Sequence, residues 1–106
     1  MQILIVNFNV DGLSEEDFES ACDELAPAFA AVPGLVSKVW LAGRGEGTFG
    51  GVYTFESEKA VDDYLQSELF AGVGATPGLV NISVRRFGVL DGPTRVTRGL
   101  PQHAAA

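Results

Sequence analysis

Pro33-Gly34-Leu35-Val36 recurs as Pro77-Gly78-Leu79-Val80, 44 residues further along the chain. Each copy follows an amphipathic stretch that opens on a serine, Ser14 or Ser57, and each leads into a strand-like run. A Pro-Gly pair at the end of a helical pattern stops the helix. The repeated tetrapeptide therefore marks the same place in two copies of one strand–helix–strand unit.

The flanking sequence fills in the two units. Gln2–Val10 (QILIVNFNV) is rich in β-branched and apolar residues and predicts a strand buried on both faces. Ile3, Ile5, Asn7 and Asn9 share one face of it, and Leu4, Val6, Phe8 and Val10 the other. Asp11-Gly12 ends it. Ser14 caps a helix whose first turn holds Glu15, Glu16 and Asp17, where the helix dipole favours acids. Phe18, Cys22, Leu25, Phe29 and Val32 form its apolar stripe. Pro27 should kink or split that helix, because it removes one backbone donor.

Leu35–Ala42 and Phe49–Phe55 read as a hairpin joined by the glycine-rich Gly43–Gly47. Val36, Lys38, Trp40 and Ala42 share a face of the first of these strands; Tyr53 and Phe55 share a face of the second. Val61, Tyr64, Leu65 and Leu69 make the stripe of a second helix, followed by a loop at Gly72–Gly78. Leu79–Leu90 is a fourth strand, with Asn81, Ser83, Arg85 and Phe87 on one face and Val80, Ile82, Val84 and Arg86 on the other. The order β-α-β-β-α-β predicts an α+β, ferredoxin-like split-βαβ domain over residues 1–90. Its four-stranded antiparallel sheet carries two helices on one face. Residues 91–106 read as a C-terminal tail, flexible or held by a dimer contact. Both sheet faces are apolar, so a homodimer through the sheets is the economical way to cover the second one.

Composition narrows the partners. The net charge is −7, and the first 37 residues carry seven acids with no Lys or Arg. Such a surface repels phosphate backbones, which argues against nucleic acid. No apolar run approaches the roughly 20 residues of a membrane span. A signal-peptide pattern is missing, and the single cysteine, Cys22, cannot form an internal disulfide. A cytoplasmic location is the expectation. No metal-ligand cluster is readable, and the sole histidine, His103, lies in the tail. The Gly43–Gly51 stretch lacks the strand-to-helix context of a phosphate loop and reads as a hairpin connection.

A few polar side chains interrupt the apolar strands. Asn7 and Asn9 stand on one face of a central strand, where a carboxamide needs a hydrogen-bond partner. They mark either a polar spot in an apolar cavity or a structural tie. Lys38 shares a face with Trp40; its ammonium reaches water at the sheet edge or a ligand. Tyr53 is a core anchor or an acid that donates to a substrate oxyanion. Arg85 and Arg86 point to opposite faces, so one goes inward or to a dimer seam. Cys22, on its helix stripe, reads as a packed thiol.

Taken in order, Pro33-Gly34-Leu35, Lys38-Val39-Trp40, Gly50-Gly51-Val52-Tyr53-Thr54-Phe55, Ser57-Glu58-Lys59-Ala60 and Tyr64-Leu65 resemble the YdhR-like monooxygenase family of dimeric α/β-barrel proteins. The resemblance implies two ferredoxin-like subunits packed sheet to sheet, each with a pocket between sheet and helices for a small hydrophobic or aromatic ligand. It implies a cofactor-independent monooxygenase of an aromatic or polyketide-like compound, with molecular oxygen as co-substrate and no metal or flavin. Cyclisation or isomerisation in the same pocket, or ligand binding without catalysis, are the alternatives. On that reading Asn7, Tyr53 and Lys38 are the catalytic candidates, with Tyr53 or Lys38 handling the proton. Asn9, Trp40, Arg85 and Phe55 are the substrate-binding candidates. Asn7 stands where a relative can carry histidine, and the lone His103 argues against haem degradation.

Overall fold

The computed structural model describes residues 1–100 of the chain. Pro101 and His103, in the second half of the predicted tail, lie outside the described residues. In chain order the elements are β1 (Gln2–Val10), α1 (Glu15–Ala30), β2 (Leu35–Gly43), β3 (Thr48–Phe55), α2 (Glu58–Leu65), α3 (Glu68–Ala75), β4 (Leu79–Gly88) and α4 (Asp91–Val96). The strands form one antiparallel sheet in the order β2-β3-β1-β4. This is the ferredoxin-like α+β arrangement that the repeated unit predicts.

The two Pro-Gly turns do the same job twice. Gly34 and Gly78 both sit at positive φ (79° and 92°), a conformation that costs glycine nothing. The Gly34 carbonyl accepts from the Glu56 backbone N–H at 2.9 Å, just past the end of β3. The Gly78 carbonyl accepts from the Asp11 N–H at 2.8 Å, just past the end of β1. Each unit's turn is thus tied to the other unit's first strand. The sheet repeats this logic, since all three strand pairings join an element of β1-α1-β2 to an element of β3-α2-α3-β4.

Serine caps open α1 and α2 as predicted. Ser14 Oγ accepts from the Asp17 N–H and Ser57 Oγ from the Ala60 N–H, both at 3.1 Å. The predicted break at Pro27 does not occur: α1 runs unbroken to Ala30. Pro27 sits in the last turn, where only one ladder bond is lost. The second helix is instead split in two. Ser67 donates to the Tyr64 carbonyl (2.6 Å) and accepts from the Phe70 N–H (3.2 Å), closing α2 and starting α3. The first part of the loop predicted at Gly72–Gly78 is therefore helical. The segment read as tail begins with the short helix α4.

The core lies between the sheet and α1–α3. Leu4, Val6 and Phe8 from β1 meet Phe49, Tyr53 and Phe55 from β3, under Phe29 of α1 and Val61 and Tyr64 of α2. Full burial of such side chains stabilises by about 1.5–3 kcal/mol each. In β4 the predicted alternation fails at its start. Asn81, at φ 56°, forms a bulge opposite Phe8, and Val80 moves to the face of Ser83, Arg85 and Phe87. The face away from α1–α3 carries Ile3, Ile5, Val39, Val52, Val80 and Phe87; Val39 is 60% exposed and Phe87 42%.

Candidate functional site

Register sets which side chains meet beneath α1. Lys38 pairs with Tyr53 and Trp40 with Gly51, all on the helix-facing side. Gly51 makes the space: a Cβ there would stand 2.8 Å from Lys38 Cε and 3.2 Å from Tyr53 Cε1. The lysine stem lies across this gap and ends in a box of rings. Its Nζ is 3.4 Å from the Trp40 ring centroid, 3.5 Å from that of Phe29 and 4.6 Å from that of Tyr53. Phe29 and Trp40 meet edge to face, 5.2 Å apart.

No carboxylate stands within ion-pair distance of Lys38 among the described residues, whereas Arg44, Lys59 and Arg86 hold Glu19, Asp63 and Asp62. Burial pulls the Lys38 ammonium down to about 8, partly opposed by charge interaction with Cys22. Burial pushes the Cys22 thiol up, with Lys38 working against it. The ring faces favour the charged amine by about 1–2 kcal/mol where desolvated. Lys38 is thus a half-buried amine whose close neighbours among the described residues are ring faces and no carboxylate.

Two clefts flank the box. One, of about 310 Å³, runs between the end of α1 and β2 and is lined by Ala26, Phe29, Leu35, Ser37, Lys38 and Trp40. The other, of about 440 Å³, lies beyond Trp40 and is lined by Phe18, Cys22, Ala26, Trp40, Phe49 and Gly50. Its rim holds Glu19, Asp23 and Arg44, with Arg44 donating two 2.6 Å bonds to Glu19. These volumes fall at the lower end of ligand pockets, about 300–1,000 Å³.

The seven residues singled out from the sequence divide between the two faces. Lys38, Trp40, Tyr53 and Phe55 lie on the helix side; Asn7, Asn9 and Arg85 lie on the other. Asn9 is a structural tie: its amide donates to Thr48 Oγ1 (3.0 Å), and its carbonyl accepts from the Asn81 amide (3.0 Å). Asn7 donates at 3.5 Å to the Phe49 carbonyl. Beside it Gly50 admits no side chain, since a Cβ would overlap the Val6 carbonyl oxygen. The Arg85 guanidinium lies 5.1 Å from the Phe87 ring. Phe55 is fully buried, a layer below the box. The Tyr53 hydroxyl faces the Tyr64 hydroxyl at 2.8 Å in the core. Burial raises both phenols, so they stay protonated at neutral pH. Phe29, Gly51 and Tyr64 complete the site and were not singled out; only the Phe29 and Tyr64 stripe positions signalled them.

A metal fits this donor set poorly. Among the described residues no three His, Cys, Asp or Glu side chains cluster, and Cys22 is the one soft donor lining the clefts.

The profile of the family described as "Putative mono-oxygenase ydhR" matches residues 3–100. The chain belongs to this family. The YdhR-family resemblance read from the Pro33–Leu65 motifs therefore holds over nearly the whole chain. No curated protein matches significantly. Solved structures share the fold. A protein of unknown function from Nitrosomonas europaea is 19% identical, with a TM-score of 0.72 over 86% of this chain and 90% of that one. SnoaB, a cofactor-independent oxygenase from Streptomyces nogalater, is 21% identical, with a TM-score of 0.64 over 83% and 92%. The heme-degrader MhuD from Mycobacterium tuberculosis, with two hemes bound, is 20% identical, with a TM-score of 0.67 over 85% and 96%. At these identities the likeness establishes the ferredoxin-like fold alone, and the chemistry must come from this chain's own side chains.

Proposed function

We propose that this protein is a monooxygenase of a small aromatic or polyketide-like phenol, working without a resident cofactor and using molecular oxygen as co-substrate. The observation that carries the reading is the Lys38 amine, boxed by Phe29, Trp40 and Tyr53 on a cleft wall without a carboxylate partner. A flat phenol can stack against Trp40 and place its oxygen on Nζ. The neutral amine takes the phenolic proton, and the resulting ammonium holds the oxyanion. An activated ring CH₂ then adds O₂ through the enolate carbon, forming a C–O bond. The hydroperoxide takes back the proton and loses water, so CH₂ and O₂ become C=O and H₂O. Tyr53, bonded to Tyr64, supports the box from below while Lys38 handles the proton.

SnoaB, which shares the fold, is a cofactor-independent oxygenase, and this agrees with the reading. A second copy covering the open sheet face completes it. That face holds Val39, Val80 and Phe87 in contact with solvent and would bring Asn7 and Arg85 to the seam.

The test is oxygen uptake with anthrone-type and hydroquinone substrates. One O₂ should be consumed per product, and Lys38→Met should lose about 10²–10³-fold in kcat. Turnover that persists without O₂ would replace oxygenation by cyclisation or isomerisation. Binding without any conversion would leave a carrier.

A further inference from the structure

We propose that Lys38 is also an imine-forming amine, a site that captures aromatic aldehydes covalently. The proposal goes beyond the oxygenase reading and starts from the geometry of the box. An amine that attacks a carbonyl must be free of a carboxylate, reachable and close to a surface that holds the electrophile. Lys38 meets each condition. It has no acidic partner among the described residues, and it lines the cleft of about 310 Å³ between α1 and β2. Trp40 lines both clefts, and an aryl ring can rest there on the part of the indole that Nζ does not cover.

The groups facing it are few. From α1 comes the Cys22 thiol, from β3 the Tyr53 phenol with Tyr64 of α2 behind it, and across Trp40 the rim of Glu19, Asp23 and Arg44. None is a base competing for a hydrogen bond with Nζ, and burial keeps much of the amine neutral near pH 8. In the reaction the ammonium first gives a proton to water. The nitrogen pair then attacks the carbonyl carbon, the carbinolamine loses water, and a C=N bond remains.

The chain supplies its own reference. It has two lysines, and the other, Lys59, is exposed and paired with Asp63 at 2.9 Å. The experiment treats the full-length protein with benzaldehyde or acetaldehyde plus cyanoborohydride, which reduces the imine to a stable amine. Peptide mass mapping then scores Lys38, Lys59 and the Met1 amine separately. Benzaldehyde should label Lys38 at least about tenfold faster than Lys59, the neutral fraction of a lowered amine outweighing its weaker nucleophilicity. The Lys38 preference for benzaldehyde over acetaldehyde should exceed that of Met1 and fall in Trp40→Ala, which keeps the lysine and opens the box. Labelling of Lys38 no faster than Lys59 overturns the proposal. Fast labelling with no aryl preference overturns the aromatic class. Neither result bears on oxygen uptake, so the two readings fail separately.

Discussion

Beneath α1, one hydroxyl pair and one amine carry separate expectations. The Tyr53 and Tyr64 hydroxyls satisfy each other in the core at 2.8 Å. Removing either one alone strands its partner, so Tyr53→Phe and Tyr64→Phe should each cost about 1–3 kcal/mol. The double variant should recover most of that loss, and a chemical-denaturation cycle measures the coupling. Lys38 carries a pH dependence. Its folded pKa of about 8 lies below the ordinary lysine value of 10.5. Between those limits the unfolded chain binds a proton that the folded one does not, so stability from this group rises with pH. Relative to Lys38→Met, the wild type should gain stability between pH 8 and 10.5, and urea unfolding of both proteins across that range shows the difference. Lys38, Trp40 and Tyr53 were legible as candidates because a polar or amphipathic group stands out in an apolar strand. Their meeting in one box was not, since it depends on Gly51, an absence of side chain that gains meaning only from the register.

Elements were more readable than residues, and the exceptions have causes. Both Ser-capped starts and both Pro-Gly stops were legible because caps and breakers act locally. β1 followed from its density of β-branched and apolar residues, and the hairpin from the glycine-rich Gly43–Gly47 between two strand-like runs. The division of α2 from α3 escaped because the stripe Val61, Tyr64, Leu65, Leu69 continues across it, while Ser67 interrupts with a cap. Ser67→Ala removes both bonds at that junction and should cost about 1–2 kcal/mol, read as a lower Tm with Tyr64 and Phe70 still in the core. The bulge at Asn81 escaped for a different reason. Strict period-two counting cannot see one inserted residue, and its signals are a left-handed asparagine and the tie from Asn81 to Asn9. That single residue moves Val80 to the open face, where the alternation of β1 already places Asn7 and Asn9.

At the scale of the molecule, the sheet face away from α1–α3 sets the expected assembly. Val39, Val80 and Phe87 on it should be covered by a second copy. Sedimentation equilibrium should return a dimer, and Val39→Glu with Phe87→Glu should return a monomer. A wild-type monomer at all concentrations would remove the sheet-to-sheet arrangement. No helix among the described residues is long and apolar enough to cross a membrane. The repeated Pro-Gly-Leu-Val made the topology legible, whereas the ligand of the clefts was not, because a fold of this kind fixes the position of a pocket and leaves its occupant to a few side chains.

The weave of the sheet has one more consequence. A peptide ending at Gly45 would hold β1 and β2, which do not touch, and a peptide beginning at Glu46 would hold β3 and β4, which do not touch either. Neither piece owns a single ladder of its own, and each glycine carbonyl that closes a turn finds its donor on the other piece. Alone, both should be random coil by circular dichroism. Mixed in equal amounts, they should assemble into a nicked, two-piece protein whose unfolding midpoint climbs with concentration, as it does for an obligate heterodimer.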